Sequence, residues 1–188
     1  MSLLHPMRNL ATTLAAILLL QACSHAPGAP DFTLTDDTGR AWALSSQRGT
    51  PVLLTFGFTH CADTCPATLA KLARLAAERD SATRVVIALV TVDPQRDSIA
   101  AMHRFVTRFD RGDVRIVGLT GTPSQIDAVE RAYHVWAQRI PGRQRHGAYD
   151  IAHSAVVYFI DRGGVTRSVH DDDDSDAVLG AALREAAS

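Results

Sequence analysis

Pro51 to Phe58 (PVLLTFGF) is a continuous apolar run ended by Thr59-His60-Cys61. A strand with one wet face alternates apolar and polar residues, whereas a strand covered on both faces does not. The run therefore predicts a central, doubly buried strand, which requires layers above and below it. Directly after it the chain turns through Cys61-Ala62-Asp63-Thr64-Cys65-Pro66. A helix with an apolar stripe at Leu69, Leu72, Ala73, Leu75 and Ala76 follows. Pro66 suits the entrance of that helix, where its missing N–H is harmless.

The same logic extends along the chain. Phe32, Leu34, Trp42 and Leu44 flank Asp36-Asp37-Thr38-Gly39, the pattern of a hairpin with a glycine turn. Arg84 to Val92 reads as a second buried strand. It leads through Asp93-Pro94-Gln95-Arg96-Asp97-Ser98 into a helix with Met102, Phe105, Val106 and Phe109. Val114 to Leu119 is a third strand. Thr122-Pro123-Ser124 starts a helix through Ile126, Val129 and Tyr133. Arg139 to Tyr149 reads as a polar loop. Ser154 to Ile160 reads as a fourth strand with His153 at its start, Val165 to Val169 as a fifth after the Asp161-Arg162-Gly163-Gly164 turn, and Ala177 to Ala187 as a terminal helix. Strands alternating with helices predict a three-layer α/β domain with a central mixed sheet flanked by helices. A final hairpin and helix, with Cys-x-x-x-Cys at the first strand-to-helix turn, makes that architecture thioredoxin-like, with an added N-terminal β-hairpin.

The leader bounds the compartment. Leu10 to Leu20 is an apolar run too short to span a bilayer comfortably, and Leu20-Gln21-Ala22-Cys23 resembles a lipobox. The expected organisation is a lipoprotein-type signal peptide over 1–22, a Pro/Gly/Ala tether over 23–30 and the folded domain over 31–188; ordinary signal cleavage nearby and an uncleaved anchor are the alternatives, and all three place the domain outside the cytoplasm. Lipid attachment at Cys23 would anchor the domain to a bacterial membrane, facing the periplasm. Of the 3 cysteines that leaves a pair, Cys61 and Cys65. Hydrophobic content of 46% and charged content of 21% suit a globular core. With a net charge of −1, nothing suggests a nucleic-acid partner, and none is expected.

A paired thiol in an oxidising compartment serves as a disulfide, a redox dithiol or a metal site. A structural disulfide gains most by closing a long loop, and this loop is short. A Cys at a helix N-terminus faces unpaired N–H groups and the positive end of the helix dipole, which favour thiolate. Thiolate is both nucleophile and metal ligand, so two readings stay open. In one, Cys61 attacks a partner disulfide and Cys65 resolves it, the two ending as a disulfide. In the other, both thiolates hold a soft metal with His153, two thiolates and one imidazole being a set suited to copper, Cu(I) or Cu(II). No Pro occurs between Tyr149 and Ser154, where oxidoreductases of this fold present a cis-Pro loop.

Together Phe56-Gly57-Phe58-Thr59-His60-Cys61, Asp63, Cys65-Pro66, Asp93-Pro94, Arg96-Asp97, Gly118-Leu119-Thr120-Gly121, His153-Ser154-Ala155, Tyr158 and Asp161 resemble the SCO/SenC family of copper chaperones. The resemblance runs from about Phe32 to the C-terminus. It implies copper ligands at Cys61, Cys65 and His153 and a membrane-tethered protein. It also implies delivery of copper to the dinuclear copper centre of cytochrome c oxidase subunit II or another acceptor, reduction of that partner's cysteines, or both. A copper donor protein or a thioredoxin-like reductant would be the other partner. Ala62 stands where the family commonly has Pro, and Ala152 where it has an acid, with Asp150 two residues earlier. An extracytoplasmic thiol–disulfide oxidoreductase and a redox or copper sensor are the alternatives.

Other titratable residues have blander readings. His60 is expected to position the loop. Asp93 and Asp97 are expected to cap the helix after Pro94 and hold the loop. His103, His134 and His146 are expected on helix or loop surfaces. His170 with Asp171 to Asp174 is expected to be a solvated acidic N-cap region for the last helix. Tyr133 and Trp136 are expected to pack at the core edge.

Overall fold

Three parallel strands carry the frame, and each needs a helical crossover to return the chain to the same end of the sheet. The computed structural model describes residues 28–79, 84–141 and 149–188. The apolar leader, Cys23 and most of the tether lie outside the described residues. The chain forms β1 (Thr33–Asp36), β2 (Ala41–Ala43), β3 (Val52–Gly57), α1 (Thr64–Ala77), β4 (Val86–Thr91), α2 (Ile99–Val106) and β5 (Arg115–Thr120). It continues through α3 (Pro123–Ala132), β6 (Ala137–Pro141), β7 (Tyr149–His153), β8 (Val156–Ile160), β9 (Thr166–Asp171) and α4 (Asp176–Ala187). The main sheet has the order β2-β1-β5-β4-β3-β8-β9. β3, β4 and β5 pair in parallel, and β1, β8 and β9 pair antiparallel to their neighbours.

The apolar runs are where burial is complete. All six residues of β3 are buried, and Leu53 and Leu54 are 0% exposed. Each such side chain contributes about 1.5–3 kcal/mol by leaving water. The stripe Leu69, Leu72, Ala73 and Ala76 seats α1, which packs beside α4 through its own buried Leu179, Ala182, Leu183 and Ala186. Thr122 and Gln125 form the reciprocal capping box that starts α3. Among the described residues no helix is long and apolar enough to cross a membrane.

The N-terminal hairpin forms as the sequence predicts. Asp36 Oδ1 accepts the N–H groups of Thr38 (2.8 Å) and Arg40 (2.9 Å), and Gly39 takes the left-handed conformation the turn needs (φ +85°). Asp37, 3% exposed, then docks the hairpin by accepting Gly118 N–H and pairing with His103 Nδ1 at 2.8 Å.

Five expectations are corrected. Both ends of the segment read as a polar loop, Arg139 to Pro141 and Tyr149, instead belong to a second, two-stranded sheet, β6 with β7; 142–148 lie outside the described residues. His153 consequently ends β7 and does not begin the buried strand β8. Trp136 is 54% exposed, whereas Tyr133 is buried at 2% and donates its hydroxyl to the Pro30 carbonyl. Asp93 and Asp97 hold their loop but cap nothing, because Ser98 is the N-cap of α2 and its side chain accepts Ala101 N–H. Similarly Ser175, not the acidic run, caps α4. Asp172 accepts the Thr68 hydroxyl at 2.6 Å, and the Asp172 and Asp174 carbonyls take Lys71 Nζ, so the run ties β9 to α1.

Candidate metal and thiol site

Cys61 lies just outside α1 and Cys65 within its first turn, so both inherit the unpaired N–H groups of the helix start. Asp63 is the N-cap residue, yet its side chain makes no capping bond. The Cys61 sulfur does that work, accepting Cys65 N–H at 3.3 Å. Hydrogen bonding from the Cys65 thiol is the main reason Cys61 falls from the usual thiol value of 9.0 to about 6. The N–H groups of Cys65 and Asp63 and the nearby His153 add to it, against the opposing effect of partial burial. Cys65, 4% exposed, moves the other way. Its hydrogen bond to Cys61, its burial and the charges of Cys61 and Asp172 all favour the neutral thiol. Neither cysteine is in a disulfide: Cys61 is partly exposed and shifted toward thiolate, Cys65 buried and held toward the neutral thiol.

The β6–β7 hairpin delivers His153 to this pair. His153 Nδ1 lies 2.9 Å from the Ser154 carbonyl. A carbonyl only accepts, so Nδ1 carries the hydrogen, and Nε2 is the ring nitrogen left for a metal. Nε2 faces Cys65 Sγ at 3.9 Å. A thiolate and an imidazole sharing a first-row metal, with bonds of about 2.3 and 2.0 Å about 120° apart, sit about 3.7 Å from one another. The observed spacing is close to that. Among the described residues no three His, Cys, Asp or Glu side chains already surround one point. A three-ligand set therefore requires Cys61 to turn from the Cys65 N–H toward the Cys65–His153 pair.

A second layer holds both halves of the site. Asp97, 0% exposed, accepts Thr59 N–H (3.0 Å), the Thr59 hydroxyl (2.6 Å) and the Thr91 hydroxyl (2.6 Å), fixing the loop two residues before Cys61. Arg96 pairs with buried Asp93, donates to the Tyr149 carbonyl at 3.0 Å and lies 3.8 Å over the Tyr149 ring. The Tyr149 hydroxyl returns to Asp93 at 2.7 Å. Tyr149 begins the strand that His153 ends, so Asp93-Pro94-Gln95-Arg96-Asp97 braces the cysteine loop through Asp97 and the histidine strand through Arg96. Phe58 packs edge-on to the His153 ring at 5.9 Å.

The remaining candidates make their contacts away from the thiol sulfurs. His60 turns to Thr59, whose hydroxyl hydrogen is committed to Asp97, so His60 Nδ1 is the donor of that 3.2 Å contact. This is the positioning role the sequence suggests. His103 serves Asp37, His134 occupies a left-handed position after α3 (φ +54°), and His170 pairs with Asp174 at 3.1 Å. His146 lies outside the described residues. Asp150 is exposed and takes its neighbour's N–H, so it does not stand in for an acid at Ala152. Sequence reasoning missed Asp172, whose charge reaches Cys65, and Gly57, where a Cβ would sit 2.9 Å from Cys65 Sγ.

The family model of SCO1/SenC matches residues 21–188. The chain belongs to the SCO1/SenC family. It is 38% identical to the mitochondrial SCO2 homolog of Bos taurus over 143 residues, 74% of this chain and 52% of that protein. It is 36% identical to the human mitochondrial SCO2 homolog over the same length. The chain thus spans about half the length of these relatives. Among solved structures it resembles copper-bound ScoI of Bradyrhizobium japonicum (TM-score 0.72, 32% identity, 86% of this chain and 100% of that one). It also resembles copper-bound ScoI of Arabidopsis thaliana (TM-score 0.73, 28% identity, 85% and 99%). The mixed sheet flanked by helices is the SCO thioredoxin-like fold.

Proposed function

We propose that this SCO-family protein is a copper metallochaperone. Cys61, Cys65 and His153 take up copper as cargo, Cu(I) or Cu(II), and pass it by ligand exchange to the cysteines of an acceptor. The carrying observation is His153, whose Nδ1 is tied to a carbonyl and whose Nε2 faces Cys65 at 3.9 Å. A dithiol reductase has no need for an imidazole locked with Nε2 toward the buried thiol. Two similar chains of 28% and 32% identity were solved with copper bound, which supports the reading. The acceptor is the dinuclear copper centre of cytochrome c oxidase subunit II. The protein is tethered by Cys23 to a bacterial membrane and works facing the periplasm, as its leader suggests.

One observation favours a second activity on the same residues. Cys61 is partly exposed and ionised near neutral pH, while Cys65 waits as a buried thiol. That division is what attack and resolution of a partner disulfide require. Reduction of the acceptor's cysteines would leave Cys61 and Cys65 as a disulfide, so a thioredoxin-like reductant would have to restore them before copper binds again.

The test is anaerobic titration of the reduced protein with Cu(I) against a competing chelator. The proposal expects one tight copper per chain and at least tenfold weaker binding in Cys65→Ser. Weak copper binding together with turnover of a disulfide substrate would make the reductase the principal activity.

A further inference from the structure

A cleft of about 520 Å³ opens beside Cys61, and neither Cys65 nor His153 lines it. One wall is the cysteine loop, with Thr59, His60, Cys61 and Ala62; the other is the turn after α2, with Arg108 and Phe109. Arg108 is exposed but held. Its Nε donates to the Phe105 carbonyl at 3.2 Å, and its guanidinium lies 4.7 Å over the Phe105 ring and 5.4 Å over that of Phe109. Among the described residues no carboxylate pairs with it. The acids nearby are otherwise placed: Asp97 is buried beneath Thr59, Asp110 accepts Ile116 N–H at 3.0 Å, and Asp63 is not in the cleft wall. The cleft thus brings together the one accessible thiol of the pair, an aromatic wall and an unpaired guanidinium.

We propose that this cleft docks the acceptor's metal-binding cysteine, and that Arg108 selects an acceptor segment with a carboxylate beside that cysteine. The inference rests on the metallochaperone reading and names the partner's chemistry. A guanidinium fixed over aromatic rings presents its fork to a planar carboxylate with little loss of side-chain freedom. The same contact leaves the partner's sulfur beside Cys61. In the exchange, the incoming thiol gives up its proton and forms a sulfur–copper bond. The bond from copper to Cys61 breaks, Cys61 takes up a proton, and copper keeps its oxidation state.

The test uses the full chain, reduced and metal-free, and two short cysteine peptides, one flanked by Glu and one by Lys. Each is activated as a mixed disulfide with thionitrobenzoate, so that attack by Cys61 releases a coloured thiolate. At low salt the Glu peptide is expected to react about tenfold faster than the Lys peptide, and the difference should shrink as salt rises. Arg108→Gln should remove most of the preference and Arg108→Glu should reverse it, a graded response that misfolding would not give. Equal rates for the two peptides, or a preference unchanged in Arg108→Glu, would overturn the proposal. Cu(I) affinity of the same variants is measured in parallel and should equal that of the unmodified protein. If the unmodified chain bound no copper while the peptide preference held, the cleft would stand and the chaperone reading alone would fail.

Discussion

Removing the Asp97 carboxylate should loosen the site without touching a ligand. Asp97 is fully buried and accepts three hydrogen bonds, two from Thr59 and one from Thr91. Bonds to a charged acceptor are worth about 1.5–3 kcal/mol each, and a buried donor left alone costs about 1–3 kcal/mol. In Asp97→Ala the two hydroxyls can rotate and water can enter, so the loss should fall just below the low end of the sum for three bonds, about 4 kcal/mol. In Asp97→Asn an amide oxygen can keep the two bonds now made to Oδ2. The amide nitrogen can donate to the Thr59 hydroxyl, which then turns to His60, so about 1.5 kcal/mol should be lost. For a domain of this size each kcal/mol moves Tm by about 2–4 °C. Thermal unfolding should therefore show drops of about 3–6 °C for Asn and about 8–16 °C for Ala. Because Thr59 precedes Cys61 by two residues, Cu(I) affinity of folded Asp97→Ala should also fall, by about 10–100-fold. An Ala variant within about 1 kcal/mol of the parent would refute the energetic argument. A destabilised variant with unchanged copper affinity would refute the positioning argument.

Two more expectations concern the thiols. Carboxamidomethylation followed across pH should modify Cys61 with a midpoint near its value of about 6 and leave Cys65 unreacted; Cys65→Ala should move that midpoint upward toward the ordinary thiol range. The folded Cys61 value lies below the usual 9.0, so its contribution to stability is fully present above about 9 and lost as pH falls through about 6; denaturant midpoints should follow that direction, and Cys61→Ser should remove it. Gly57→Ala would set a Cβ 2.9 Å from Cys65 Sγ and 3.2 Å from Leu89 Cδ1, so it should cost about 1–3 kcal/mol in urea unfolding and weaken Cu(I) binding; an unchanged midpoint would show that Cys65 is free to move.

How much of this was legible in the sequence depended on burial. β3 and β4 were readable because parallel strands covered on both faces must be apolar throughout, and α3 because its cap is a local, reciprocal bond. β6 was not readable. Ala137-Gln138-Arg139-Ile140-Pro141 is mostly exposed, so no alternation was imposed on it, and Pro141 reads as a loop signal. Missing that hairpin put His153 at the start of β8 rather than the end of β7, although its proximity to Cys65 was anticipated from the order of the strands. Asp93 and Asp97 looked like caps because they precede a helix in one dimension. Their real partners, Tyr149 and Thr59, lie 56 and 38 residues away along the chain, a distance no local pattern spans. Trp136 shows the reverse error, a large aromatic that the hairpin leaves in solvent.

The central claim is that His153 joins both cysteines around copper. X-ray absorption of the anaerobic Cu(I)-loaded protein, compared with His153→Ala, tests it most directly. The account predicts two sulfur donors and one nitrogen in the parent and loss of the nitrogen donor in the variant. A parent spectrum with sulfur donors alone, unchanged by His153→Ala, would contradict it.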